Sequence, residues 1–262
     1  MPIVPKVASY VFSRGLETVK PLSMKVEICY MKKMIAASLV GIGLTLATAA
    51  HAADVDKLDQ RIAAAHDVLH ELMATPDKGV PLDIAAKAHC VAVIPGYKKG
   101  AFLVGAQYGQ GVATCRTRAG WSAPVFIQLV GASFGLQAGG QSTDLVLVGV
   151  NTKSLDDLLK DKVKLGGDAA AAAGPVGRDT QASTTELANA EFLTYSRSQG
   201  LFAGVDLTGD EVHQNSADTT AFYGKDIPYR TILSGRVPTP AAARHFVATV
   251  NEMFRRGRAR KQ

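Results

Sequence analysis

Cysteine, tryptophan and a true excess of charge are all scarce in this chain, and each scarcity closes off a class of function. Three cysteines and one tryptophan occur in 262 residues. No two cysteines form a C-x-x-C pair, and no Cys/His cluster has zinc-site spacing. A nucleotide loop of the form G-x-x-x-x-G-K-[ST] is missing as well. Asp206, Asp210 and Glu211 in VDLTGDEV are too few and too dispersed for an EF-hand loop, and read as turn and edge-strand acids. The surplus of 29 Lys/Arg over 23 Asp/Glu is an effect of the two ends. Six of those basic residues and two of the acids lie in residues 1–52, and five more basic residues lie in the closing RRGRARKQ. Between the ends the acids lead by three, so no nucleic-acid surface is indicated. The basic tail is read as a solvated end able to touch a polyanion.

What is present begins with a leader. MKKMIAASLVGIGLTLATAAHAAD, from Met31, has a short basic start, an apolar core and the small-residue exit Ala50-His51-Ala52. That is the pattern of a secretory signal peptide, with an apolar core too short for a bilayer span. The expected organisation is an upstream extension over residues 1–30 with translation starting at Met31, a signal peptide over 31–52, and a single mature domain over 53–262 with a basic tail. The expected location is periplasmic or secreted. Export removes Cys29 and leaves Cys90 and Cys115, and two cysteines in an exported chain favour one structural disulfide.

Along the mature chain, Leu58, Ile62, Ala65, Leu69, Leu72 and Met73 recur at helical spacing, which predicts an amphipathic helix over 54–75 ended by Pro76. A short helix is expected from Pro81 to His89. From Cys90 to Val150, short apolar runs alternate with Gly and Pro turns, the texture of an antiparallel β domain. GAFLVGA and GVATCRT are expected to form a hairpin turning near Gly109, with Gly100 opposite Arg118 and Phe102 opposite Arg116. SLDDLL predicts a short helix with Ser154 as N-cap. AEFLTYSRSQG and LFAGVDLTGDEV predict two strands about a turn at Gln199-Gly200. Thr239-Pro240 opens a C-terminal helix whose buried stripe is Phe246, Val247, Val250, Met253 and Phe254. The fold class is α+β: an antiparallel β-rich domain flanked by N-terminal and C-terminal amphipathic helices.

Three stretches resemble reactive or ligand-binding motifs. GASFG, residues 131–135, fits G-x-S-x-G with Ser133 as nucleophile, and Asp206 with His213 or His245 would complete a triad. That chemistry needs a strand-to-helix turn, and no helical run follows. His66 and His70 share one helix face, but the spacing compels no third metal ligand from Glu71 or His89. LGGDAAAAAGPVGRD, residues 165–179, lacks the Lys-Ser/Thr of a phosphate loop. It is read as Asp168 capping one helical turn over Ala169–Ala173, stopped at Gly174 and closely packed. No catalytic residue, metal or cofactor is assigned.

AHCVAVIPGYKKGAFLVGAQYGQGVATCRT, GWSAPVFIQLVGASFGLQAGGQSTDLVLVGV, KLGGDAAAAAGPVGRDT, TYSRSQGLFAGVDLTG and the later Phe222-Tyr223-Gly224 together resemble the SYLF-domain family. The resemblance runs from about residue 88 to 224. It implies an α+β domain without known catalysis that binds phosphoinositide-containing membranes in eukaryotic members, some of which bind actin. An export signal would keep this chain away from actin. Lipid binding carries over as a class, to an anionic lipid or the envelope surface. The alternative is a structural or protein-interaction module with envelope partners and no lipid affinity. The first helix carries only Lys57 and Arg61 among five acids on its polar face, a poor membrane face, and is expected to pack on the domain. The candidate lipid contacts are therefore Lys98, Lys99, Arg116 and Arg118, gathered by the hairpin, with Arg178 beyond the alanines.

Overall fold

Strand β1, Cys90–Thr117, runs for 28 residues, several times the usual strand length. It can do so because it turns back on itself. Cys90 and Cys115 both lie on it, 25 positions apart, yet their Cα atoms are 4.0 Å apart and their sulfurs are bonded. An extended strand of that separation would span roughly 80 Å. The backbone N–H of Arg116 donates to the His89 carbonyl at 2.7 Å. Gly111 lies so close to the first half that a Cβ there would sit 2.1 Å from the Val93 carbonyl oxygen. Register shifts between Ile94 and Tyr97 and between Ala101 and Leu103 mark where the strand bends. The structure, a computed structural model, describes residues 54–74, 79–166, 171–173, 190–198, 207 and 209–259, and residues 52–262 belong to one compact unit.

The expected hairpin at Gly109 is not formed. Gly100 lies opposite Gly140 of β3, Val125–Gly149. Arg116 lies opposite Trp121 of the short β2, Gly120–Trp121. β3 follows β1 from Cys90 opposite Gly149 to Ala113 opposite Val125. A tight hairpin would have spent the edge of 112–118 on 100–106, whereas β3 offers Val125, Phe126 and Ile127 as partners. Gly109 and Gly111 serve close approach between the two halves of β1, not a turn.

Shorter strands extend this ribbon. β6, Phe192–Ser198, pairs with the end of β3, and β7, Glu211–Gln214, pairs with its beginning. β4, Lys162–Lys164, adds to β7. β5, Ala171–Ala173, adds to β6 in parallel. The alanines therefore form a strand where a helical turn was expected. A turn that short is costly to nucleate alone, and the open edge of β6 supplies hydrogen bonds that override alanine's helix propensity. Asp168 and Gly174 lie outside the described residues, as do Arg178, Asp206 and the Gln199-Gly200 turn.

Alternation along the strands buries both faces. Cys90, Ala92 and Ile94 join Ile127, Leu129, Leu145 and Leu147 on one side. Val91, Val93 and Val112 join Phe126, Val146 and Val148 on the other, under the helices. Helix α1, residues 54–74, contributes Leu58, Ile62, Ala65, Leu69 and Leu72, as its spacing predicts. Each of these leucines and Ile62, fully buried, is worth roughly 1.5–3 kcal/mol. Helix α2, Leu82–Lys87, has Pro81 at its N-cap. Helix α3, Lys153–Leu158, starts before Ser154, whose hydroxyl donates to the Asn151 carbonyl at 2.6 Å while Asn151 Oδ1 accepts from the Ser154 N–H. The N-cap is thus Thr152, two residues earlier than predicted, and Asn151 supplies the side chain that bonds the first turn. Helix α4, Ser216–Tyr223, is capped by the side chain of Asn215 and ends at Gly224 with φ 67°. Helix α5 is Tyr229–Leu233. A 3-10 turn, Ala241–Ala243, leads into α6, Arg244–Ala259, which buries Phe246, Val250 and Phe254.

Candidate functional site

The short β1–β2 connection has a large consequence. Two residues, Arg118 and Ala119, join the paired Thr117 and Gly120. This places Arg116 beside Trp121, with the guanidinium 4.7 Å from the indole centroid. Arg116 Nε donates to the Ala88 carbonyl at 2.8 Å, and Nη2 donates to the carbonyls of Phe254 at 3.2 Å and Ala85 at 3.4 Å. Those carbonyls belong to α2, the residue following it, and α6, so one arginine ties both helices to the sheet. Phe254 completes the layer with its ring 5.5 Å from Trp121. Arg116, a sequence candidate for lipid contact, is half-buried and makes these internal bonds.

Outside this clamp lies a groove of 290 Å³ between the β1–β2 connection and α6. Ala119, Gly120 and Trp121 form one wall, and Thr239, Arg244, Val247, Ala248 and Asn251 form the other. Positions 244, 247, 248 and 251 share one helix face, since residues three and four apart are neighbours. Arg255 continues that stripe and is exposed, as are Arg118, Arg236 and Arg244. Gly235 abuts Thr117, which brings Arg236 to the same end of the molecule. Glu252 is the acid on this part of α6. Trp121 is 7% exposed, and its indole N–H has no acceptor among the described residues. A guanidinium, a carboxamide and a hydroxyl line the groove, and among the described residues no carboxylate does.

The two lysines of the predicted cluster sit elsewhere. Lys98 and Lys99 lie opposite Ser142 and Gln141 near the bend of β1, whereas Arg116 and Arg118 lie at the end closed by the Cys90–Cys115 disulfide. The structure separates the four residues into two pairs because the strand folds near its middle rather than at Gly109. Lys98 and Arg118 are both exposed. Arg178 lies outside the described residues.

Three buried polar groups shape the rest of the surface. The Tyr97 hydroxyl donates to Asp210 and lies 2.8 Å from the side-chain amide of Gln107. Burial, reinforced by Asp210, pushes the Tyr97 phenol far above its ordinary value. Glu191 is 7% exposed and Asp157 1%, and one oxygen of each carboxylate has no donor among the described residues. Burial raises Glu191 above its ordinary 4.5, and a hydrogen bond with Asp157 raises it further, against the pull of Lys153. The other oxygen of each is met by a lysine, Lys153 on Glu191 and Lys160 on Asp157. A second crevice, of 230 Å³, runs between Gln214, Ser216, Asp226 and Arg230.

The described residues of the motifs weighed for catalysis and metal binding lie on β3 and α1. Ser133 lies within β3, opposite Gly105, with no strand-to-helix turn at GASFG. His66 and His70 stack with ring centroids 6.2 Å apart, and His66 Nδ1 meets the Thr249 hydroxyl at 3.0 Å. Glu71 pairs with Arg197. Among the described residues no group of three ligating side chains is placed for a metal ion.

The groove escaped sequence reasoning because its two walls are distant in the chain. Its one signal is the only tryptophan, Trp121, five residues after Arg116 and three after Arg118 in CRTRAGWS.

Comparison with known proteins gives a consistent answer. Residues 130–253 match the family described as "Ysc84: Las17-binding protein actin regulator". The chain is similar to "SH3 domain-containing YSC84-like protein 1" of Rattus norvegicus, 35% identical over 178 residues, 67% of this chain and 52% of the rat protein. Against the protein of that name from Homo sapiens it is 36% identical over 170 residues, 64% of this chain and 49% of the human one. "LAS seventeen-binding protein 3" of Saccharomyces cerevisiae is 35% identical over 171 residues, 63% of this chain and 37% of the yeast protein. The chain spans about half the length of the mammalian relatives it matches.

Proposed function

Because the chain belongs to the Ysc84, or SYLF, family, we propose that it is a binding domain without catalytic activity, whose arginine-rich end meets anionic membrane surfaces. The observation that carries this reading is the grouping of Arg118, Arg236, Arg244 and Arg255, all exposed, around the groove between the β1–β2 connection and α6. Each basic residue held near an anionic surface contributes on the order of 1 kcal/mol. No helix among the described residues is long and apolar enough to cross a membrane, and this mode of binding requires none. Helix α1 is committed to the core through its apolar stripe and is not the membrane element. Lys98 and Lys99, at the bend of β1, form a separate and smaller basic site.

The signal-like leader and the Cys90–Cys115 disulfide support an oxidising compartment outside the cytoplasm. Cosedimentation with anionic and with neutral vesicles tests the membrane reading. Binding to anionic vesicles that fades with added salt is expected, and equal recovery with both compositions would contradict it.

A protein partner is the second reading. Tyr108 and Val130, opposite each other on β1 and β3, are the large apolar side chains left exposed among the described residues, at 46% and 37%. The names of the yeast and family relatives speak of binding Las17, a protein. A Tyr108→Ser change that leaves vesicle binding intact but abolishes an envelope-protein crosslink would favour this reading.

A further inference from the structure

We infer that Glu191 and Asp157 form a proton-operated latch on α3. One proton shared between their carboxyl groups holds the helix to the start of β6, and its loss to water as pH rises frees the helix. Glu191 directly precedes β6, and Asp157 lies within α3. Both carboxyl groups are buried. On each, one oxygen meets a lysine, Lys153 on Glu191 and Lys160 on Asp157, the latter at 2.7 Å. The other oxygens, Glu191 Oε2 and Asp157 Oδ2, have no donor among the described residues, yet the two side chains are hydrogen-bonded to each other. An ionised carboxylate only accepts, so a bond between two carboxyl groups requires a proton on one of them. Without it, like charges face each other out of water, the arrangement in which a carboxyl pair keeps one proton past the ordinary range.

The charged groups acting on Glu191 are Asp157 and Lys153, and Lys160 stands on Asp157. Asp83 of α2 acts on Tyr195 instead. The two lysine side chains are 58% and 51% exposed, so water screens them and they do not replace the proton. The first turn of α3 is fastened in other ways. Asn151 Oδ1 accepts from the Ser154 N–H, and a Cβ on Gly149 would sit 2.3 Å from Ser154 Oγ, so the helix start is pressed against β3. The proton therefore governs the second half of α3, where Asp157 sits. That half leads to Leu158, whose carbonyl accepts from Gln214 Nε2 at 3.1 Å, and to Leu159, a wall of the 230 Å³ crevice that holds Asp226 and Arg230. Loss of the proton loosens that wall and leaves the arginine-rich end as it is, so the inference is independent of the membrane reading.

Amide hydrogen exchange of the full chain, read by mass spectrometry and corrected for the intrinsic pH dependence of exchange, tests the latch. From the ordinary carboxyl value of 4.5 toward neutrality, protection of residues 155–160 is expected to fall about tenfold while residues 145–148 of β3 keep theirs. Glu191→Gln carries a permanent donor toward Asp157 and still accepts from Lys153, so protection of 155–160 should stay level over that range. Asp157→Asn should do the same, and it serves if the first variant fails to fold. Infrared absorption gives the direct sign of the proton in the parent: a carboxylic-acid carbonyl band that persists above the ordinary carboxyl range and is missing from Glu191→Gln. Protection of 155–160 that does not change with pH in the parent overturns the latch. So does a decline that persists in the variants, or a parent without that band.

Discussion

At the scale of single residues, Gly111 and Glu191 separate two kinds of constraint. A Cβ at Gly111 would meet the Val93 carbonyl oxygen at 2.1 Å and Ile94 Cα at 2.9 Å, both backbone atoms that cannot rotate away. Gly111→Ala is therefore expected to cost about 1–3 kcal/mol or more in urea unfolding. Gly100→Ala meets nothing within 4 Å and should stay within about 0.5 kcal/mol of the parent. Glu191 makes a prediction about pH. Its carboxyl is raised in the folded state, first by burial and then by Asp157, so the folded chain holds a proton that the unfolded chain releases. Its contribution is fully present below the ordinary value near 4.5 and is lost as pH rises through the folded value. Glu191→Gln should flatten the decline in urea midpoint above that pH, and an unchanged profile would contradict the assignment. Arg116 shows how partners remote in the chain can engage a residue singled out for its charge. Its charge and its basic neighbour Arg118 pointed to a surface, while the carbonyls that engage it come from Ala85, Ala88 and Phe254, remote in the chain.

At the scale of elements, what could be read in advance follows how local the physics is. Helices α1 and α6 were legible because a 3.6-residue apolar period survives without knowledge of the partner surface. Antiparallel pairing was legible in the same way from short apolar runs and turns. The length of β1 was not, because Gly109 and Gly111 signal a turn and a close approach with the same residue type, and only the position of β3 decides between them. Ala171–Ala173 fails as a helix for a similar reason, since the edge of β6 is supplied from 21 residues later. The attachment of α1 to the body provides a test at this scale. Arg61 donates to Asp218 of α4 and to Gln110 at 2.7 Å, and lies 5.6 Å from the Phe126 ring. Arg61→Ala should cost about 1–3 kcal/mol and speed amide exchange in residues 54–74 relative to the strands. Equal protection in both would show that the apolar stripe alone holds α1. The disulfide is the second such tie: closing 25 residues should be worth about 3 kcal/mol, seen as a lower urea midpoint on reduction.

Across the whole molecule, charge is distributed more sharply than the composition suggests. The basic surplus is carried by the ends of the sequence, yet folding brings Arg118 and Arg236 to the end of the molecule where α6 carries Arg244 and Arg255. A chain whose middle carries slightly more acid than base can in this way present one cationic face. The measurement that tests this most directly is cosedimentation with anionic vesicles of the parent, of the triple variant Arg118→Glu, Arg244→Glu, Arg255→Glu, and of Lys98→Glu, Lys99→Glu. At about 1 kcal/mol per basic residue, the triple variant should bind roughly a hundredfold more weakly, and the lysine pair should retain most of its binding. Undiminished binding by the triple variant, with loss confined to the lysine pair, would move the membrane-facing surface to the bend of β1 and contradict the account.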